Sequence, residues 1–145
     1  MINSTIIITA ENKEETILNT INSCLNQTFK NFEIIVAYTK LNNEKILKKK
    51  IKSKKVNFFK IKKKIKNKVQ DQCYKIMQSL KKARGKNIFL LDGDDIFLSK
   101  KLKVLNKFIN TKNIMVLDNH NKIIFYKQII KIFKKNFLYK TLINE

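Results

Sequence analysis

Short apolar runs rich in Ile, Val and Phe alternate with amphipathic segments along nearly the whole chain. No other feature constrains the fold as much. Thr5-Ile6-Ile7-Ile8-Thr9 reads as a buried strand. Asn12 follows, with Glu15 at capping-box spacing, and then a helix carrying Ile17, Ile21, Cys24, Leu25 and Thr28. Glu33–Ala37 is a second strand, and a Lys-rich helix turns Ile46, Leu47 and Ile51 inward. Val56–Ile61 alternates like a third strand at a sheet edge. The next helix runs from Val69 to Ala83 with Cys73, Ile76, Met77 and Leu80 inward, and Arg84-Gly85 stops it. Ile88-Phe89-Leu90-Leu91 is a fourth strand, followed by a helix with Leu102, Leu105, Phe108 and Ile109. Two short strands, Ile114–Leu117 and Lys122–Tyr126, flank Asp118-Asn119-His120-Asn121. A last amphipathic helix places Ile129, Ile130, Phe133 and Phe137 on one face.

Repeated strand–helix–strand units imply an α/β fold: an open, mostly parallel sheet with right-handed crossovers and helices on both faces. In the order 3-2-1-4, strands one and four are neighbours and the sheet reverses direction between them. That switch point opens a crevice in which Thr9-Ala10-Glu11 faces Asp92–Asp95. Nothing in residues 1–145 resembles a linker or repeat, so a single domain is expected.

The acids are the chemical signal. The chain has 11 acidic residues against 32 Lys and Arg, yet Asp92, Asp94 and Asp95 fall within four positions at the end of strand four. Carboxylates this close repel one another unless positive charge neutralises them, and hard divalent ions take such oxygen ligands. An isolated Asp-x-Asp is more often a polar turn capping the next helix. Here its position at a strand's carboxyl end favours a ligand site.

The net charge of +21 suggests a polyanion partner, but composition argues otherwise. Arg84 is the single Arg, and the other basic residues are all Lys, while Ile and Asn are abundant and Pro is absent. Residue types with A- and T-rich codons are inflated together, a pattern of drift rather than of a binding surface. Nucleic-acid readers depend on the bidentate Arg fork, so no specific nucleic-acid partner is expected. Cys24 and Cys73 read as reduced core residues on apolar helix faces. No apolar run approaches the ~18 residues of a membrane span, and no signal peptide is evident. The expected location is cytoplasmic, with a peripheral seat at an anionic membrane surface as the variant the Lys excess allows.

With the acids placed, the chain resembles the family-2 glycosyltransferases, which have the GT-A nucleotide-sugar-binding fold. Ile6-Ile7-Ile8-Thr9-Ala10-Glu11-Asn12 resembles the family's first strand and its exit. Leu25-Asn26-Gln27-Thr28-Phe29-Lys30-Asn31-Phe32-Glu33-Ile34-Ile35-Val36 is close to the family's LNQTYKNFEIIVV. Ala83–Asp95 is similar to its AKGEYILFLDSDD, and Ile96–Leu102 to the start of the next helix. The likeness covers roughly the first 110 residues. The tail, Ile132–Leu138, resembles a later family segment weakly.

The resemblance implies transfer of a sugar from a nucleotide-sugar, a UDP-sugar first among donors, with inversion and with Mn²⁺ or Mg²⁺ on the Asp92-Gly93-Asp94 motif. Asp94 is then the main metal ligand. Asp92 is its partner and a contact to ribose or sugar, and Asp95 is a support. Thr9, Ala10 and Glu11 edge the nucleoside pocket, while Lys62, Lys63, Lys64, Lys66 and Lys68 stand on the rim where they could steer phosphates. Departures from the pattern are specific. Tyr38 and Thr39 occupy the positions where the family carries Asp against the nucleobase. Glu11 replaces the aromatic of PTYN, and Lys75-Ile76-Met77 replaces ARN. The acceptor-side region that supplies a general base is largely missing, which leaves Asp118 as a weak candidate. Sugar, acceptor and oligomeric state, homo-oligomers included, stay open. The alternatives are a non-catalytic nucleotide-binding module of the same fold and, further off, a basic polyanion binder.

Overall fold

The structure is a computed structural model that describes residues 2–63, 65–109, 122–126 and 129–133. It divides into two compact units, Met1–Phe108 and Ile109–Glu145. The first holds strands β1 (Ser4–Ala10), β2 (Phe32–Tyr38), β3 (Val56–Lys60) and β4 (Asn87–Asp92). Helices α1 (Ile17–Leu25), α2 (Glu44–Lys50), α3 (Lys68–Leu80) and α4 (Lys101–Ile109) alternate with them. The strands form one parallel sheet in the order β3-β2-β1-β4. This is the order that the alternation predicts, with β3 at an edge.

The core lies along β1 and β2. Both strands are buried at every position, and Ile6, Ile7, Ile8, Ile34 and Val36 have no exposed surface. A parallel strand covered on both faces tolerates a continuous apolar run, and each buried Ile contributes about 1.5–3 kcal/mol. β4 differs: Asn87, Phe89 and Leu91 are buried, whereas Ile88, Leu90 and Asp92 are exposed. Asp92 thus reaches solvent through the pleat.

Several local expectations need correction. Asn12 forms no capping box. It takes a left-handed φ of 51°, which Asn tolerates, and α1 starts only at Ile17 after Thr16 without a side-chain cap. The intervening turn is closed by Thr16 N–H and Ile17 N–H, both donating to Lys13 O. α1 buries Ile17, Thr20, Ile21 and Cys24, with burial pushing the Cys24 thiol up to about 12. Thr28 is exposed, and Gln27 is buried instead, donating to Leu98 O at 2.8 Å and accepting from Leu102 N–H at 3.0 Å. In α2, Leu47 and then Ile51 are buried, but Ile46 is 56% exposed.

The main correction concerns α3. It ends at Leu80, and Cys73, Met77 and Leu80 are exposed while Ile76 is half-buried. The buried stripe is Asp71, Lys75 and Ser79. Apolar periodicity identifies the helix but picks the wrong face, because the polar stripe is neutralised internally. Lys75 Nζ pairs with Asp71 and with Glu11, and Ser79 Oγ donates to Lys75 O at 2.7 Å. Buried charge is tolerated when paired and hydrogen-bonded.

Arg84 and Gly85 do more than end a helix. Arg84 Nε and Nη2 donate to Glu33 Oε2 at 2.8 and 2.6 Å. A Cβ on Gly85 would lie 2.4 Å from both Ser4 C and Thr5 N, so only Gly permits this approach to β1. In the second unit, β5 (Lys122–Tyr126) forms as expected. The helix expected from Ile129 is instead strand β6 (Ile129–Phe133), antiparallel to β5 with Tyr126 opposite Ile129. β-branched Ile at 129, 130 and 132 favours the ladder over the helix. The expected strand Ile114–Leu117, together with Asp118, His120 and Phe137, lies outside the described residues.

Candidate functional site

The carboxyl ends of β1 and β4 meet with Thr9 opposite Asp92, at the point where the strand order reverses. Beyond Asp92 the chain turns sharply, with Asp95 N–H donating to Asp92 O at 3.0 Å and Gly93 N–H to Thr9 O at 2.9 Å. Gly93 is pressed against β1: a Cβ there would sit 3.1 Å from Thr9 O and 3.2 Å from Ala10 Cβ. Its carbonyl accepts from Thr16 Oγ1 at 2.9 Å and Thr20 Oγ1 at 3.0 Å. The turn is therefore fastened by β1 from one side and α1 from the other. Sites supported in this way hold their projecting side chains accurately.

Each of the first two carboxylates has a partner. Asp92 Oδ1 accepts from Thr9 Oγ1 at 3.0 Å and from Gln72 Nε2 of α3. Asp94 Oδ2 forms an ion pair with Lys13 Nζ, the two side chains being 44% and 37% exposed. Beside them lies a cavity of about 250 Å³ lined by Ile7, Thr9, Gln72, Ile76, Leu90, Leu91, Asp92 and Asp95. Small-molecule sites usually enclose about 300–1,000 Å³, so a nucleotide needs more room than this crevice offers. Gln72, lying across Asp92, is the side chain whose movement would widen it.

Thr9, Ala10, Gly93, Asp92, Asp94 and Asp95 thus come together as the sequence predicts. Glu11 stands apart from the cavity, its Oε2 held by Lys75 Nζ at 3.1 Å, with Lys75 only 2% exposed. Tyr38 and Thr39 are one strand away at the end of β2, where Ala10 is in register with Tyr38. Tyr38 is buried, and its hydroxyl faces Glu44 without completing a hydrogen bond; burial, then that carboxylate, push the phenol above its ordinary range. Thr39 Oγ1 is buried and has no hydrogen-bond partner among the described residues. Lys62, Lys63, Lys66 and Lys68 are solvent-exposed, Lys63 lying 5.8 Å over the Tyr74 ring, and Lys64 is outside the described residues.

Sequence reasoning missed Lys13, Gln72, Asp71 and Lys75. Asp71 and Lys75 carry a readable signal, an i,i+4 acid–base pair. Lys13 carries none, being one Lys among 31 in the chain. Among the described residues, no group of three or more His, Cys, Asp or Glu converges as a ready-made metal cage.

A parallel α/β sheet with an acidic turn at its switch point is the architecture of the GT-A fold. The chain belongs to glycosyl transferase family 2, whose family model matches residues 5–142. Its fold is similar to that of S. aureus TarS. Against TarS 1-349 the TM-score is 0.63 with 21% identity, covering 75% of this chain and 32% of that one. Against a longer TarS chain it is 0.66 with 20% identity, covering 84% of this chain and 21% of that one. A third similar structure is TarS 1-349 in complex with UDP-GlcNAc, with a TM-score of 0.63 at 21% identity, covering 75% of this chain and 31% of that one. This chain thus spans a third or less of the TarS chains that it matches. No curated protein sequence matches it significantly.

Proposed function

We propose that this domain binds a nucleotide-sugar across the carboxyl ends of β1 and β4 and transfers its sugar, with inversion, to an acceptor. The observation that carries the reading is the turn Asp92-Gly93-Asp94, two carboxylates projected from a backbone fastened to β1 and α1. Family membership supports glycosyl transfer. The complexes of TarS 1-349 with UDP and with UDP-GlcNAc favour a UDP-sugar as donor.

The donor set fits Mn²⁺ or Mg²⁺. Mg²⁺ is characteristically held by one or two carboxylates plus substrate phosphates rather than by an all-protein cage. Asp94 and Asp92 meet that description, and the ion pair of Asp94 with Lys13 Nζ is consistent with a cation at this position. When bound, such an ion offsets charge on the departing nucleoside diphosphate. The chain's own residues do the rest. Asp92, oriented by Thr9 and Gln72, faces the ribose or sugar, and Asp95 supports the turn. Thr9 and Ala10 edge the nucleoside, with Glu11 beyond them in its pair with Lys75; Gly93 lets the backbone approach, and Tyr38 and Thr39 stand on the nucleobase side. Thr39 Oγ1, buried without a partner, is suited to a base heteroatom. For the general base, Asp118 is the candidate that this chain offers.

Asp94→Asn tests the site. It should abolish metal-dependent UDP binding while leaving the thermal midpoint nearly unchanged, since an exposed ion pair contributes only about 0–1 kcal/mol. A large loss of stability in a melting experiment would instead make the turn a structural cap. A second reading, a nucleotide-binding module without transfer, is favoured by one observation. Gln72 of α3 donates to Asp92 and so lies across the crevice. Slow release of free sugar from UDP-GlcNAc distinguishes the two, because only the enzyme produces it.

A further inference from the structure

The acidic turn raises an electrostatic question: what neutralises Asp94 when no donor is bound? Asp92 is satisfied by neutral donors, the Thr9 hydroxyl and the Gln72 amide. Asp94 is paired with an ammonium, Lys13 Nζ. Lys13 is well placed for this. Its carbonyl is pinned by Thr16 N–H and Ile17 N–H at 3.2 and 2.9 Å, just after the left-handed Asn12. Its Cγ lies 3.3 Å from where a Cβ on Gly93 would be. The stem is therefore held against the turn while the side chain as a whole stays 37% exposed, beside an Asp94 side chain that is 44% exposed. Exposed pairs of this kind are weak and readily exchanged.

We propose that Lys13 is an exchangeable counter-ion: it occupies Asp94 in the free protein and moves to the donor's diphosphate when a divalent ion takes Asp94. This rests on the donor-site reading above. The consequence is linkage. A divalent ion arriving alone must displace an ammonium that then has no new anion, so it binds weakly. A diphosphate arriving with the ion gives Lys13 a second anion, so ion and nucleotide strengthen each other, and reciprocity requires the effect to be equal in both directions. Lys13 thus contacts the donor directly, and its signature is coupling between ion and nucleotide.

The test is calorimetric titration of the full chain with MnCl₂ alone and with UDP in saturating Mn²⁺, for the parent, Lys13→Met, Lys13→Arg and Asp94→Asn. Lys13→Met should bind Mn²⁺ alone several-fold more tightly and UDP in Mn²⁺ about tenfold more weakly, a change within the usual range of site–site coupling. Lys13→Arg should keep both parent values, because it restores the charge. If Lys13→Met matches the parent in both titrations while Asp94→Asn loses UDP binding, the exchange proposal is wrong and the donor site stands. If Lys13→Met tightens Mn²⁺ but leaves UDP unchanged, the transfer to diphosphate is wrong. If Asp94→Asn binds UDP in Mn²⁺ as the parent does, the donor-site reading fails and the proposal with it.

Discussion

At the residue scale, the single Arg of a Lys-saturated chain stands where Lys is a poor substitute. Arg84 meets the buried Glu33 through two guanidinium nitrogens while its own backbone N–H donates to Oε1 at 2.7 Å, and Thr5 Oγ1 adds a bond at 2.9 Å. An ammonium offers no planar fork to a carboxylate. Burial raises the Glu33 pKa, but the hydrogen bonds from Arg84 and Thr5 outweigh it and hold the group below its ordinary 4.5. Folding therefore lowers this pKa. The stability that it contributes is fully present above 4.5 and is lost as pH falls through the folded value. Denaturant titrations should show the parent weakening below about pH 4 and Glu33→Gln weakening less over the same interval. Arg84→Lys should cost about 1 kcal/mol at neutral pH, a discounted figure for a partner that is 69% exposed. The sequence marks Arg84 only as the end of a helix. Its pairing with a residue 51 positions away has no local signature.

At the element scale, strands were easier to read than helix faces. β1 and β2 follow from apolar runs, since a covered parallel strand has no polar face to confuse, and β4 follows from a run of the same kind although one of its faces is exposed. α3 shows the opposite case. Its residues Cys73, Ile76, Met77 and Leu80 predict one inner face, and the structure buries Asp71, Lys75 and Ser79 instead. What decides the face is the Glu11 carboxylate at the end of β1, which Lys75 must reach from α3. Periodicity knows nothing of a partner on another element. Lys75→Ala should cost about 3–5 kcal/mol, because it removes the buried ammonium that faces both Asp71 and Glu11 at a position that is 2% exposed. If chemical unfolding instead gives a cost under about 1 kcal/mol, of the size expected for a surface pair, α3 does not bury this face.

At the scale of the whole molecule, the sheet order β3-β2-β1-β4 was legible because right-handed crossovers leave few topologies for alternating strands and helices. Once the order is fixed, Thr9 and Asp92 are neighbours, and the location of the candidate site follows. Its internal wiring was not legible. Gln72 on Asp92, Lys13 on Asp94 and Lys75 on Glu11 are long-range pairings made by common polar residues. Nor was β6, whose isoleucines fit a helical stripe until a partner strand is present. Among the described residues, no helix is long and apolar enough to cross a membrane. The net charge of +21 is carried almost wholly by Lys, while the candidate site is a turn of opposite sign.

The central claim, a metal-assisted donor site on the acidic turn, is tested most directly by titrating the folded chain with UDP and GDP, with and without Mn²⁺. The expected result is UDP binding that appears only with the metal present, with GDP weaker or silent. Equal binding with and without metal, or none in either condition from protein that remains folded, would contradict it.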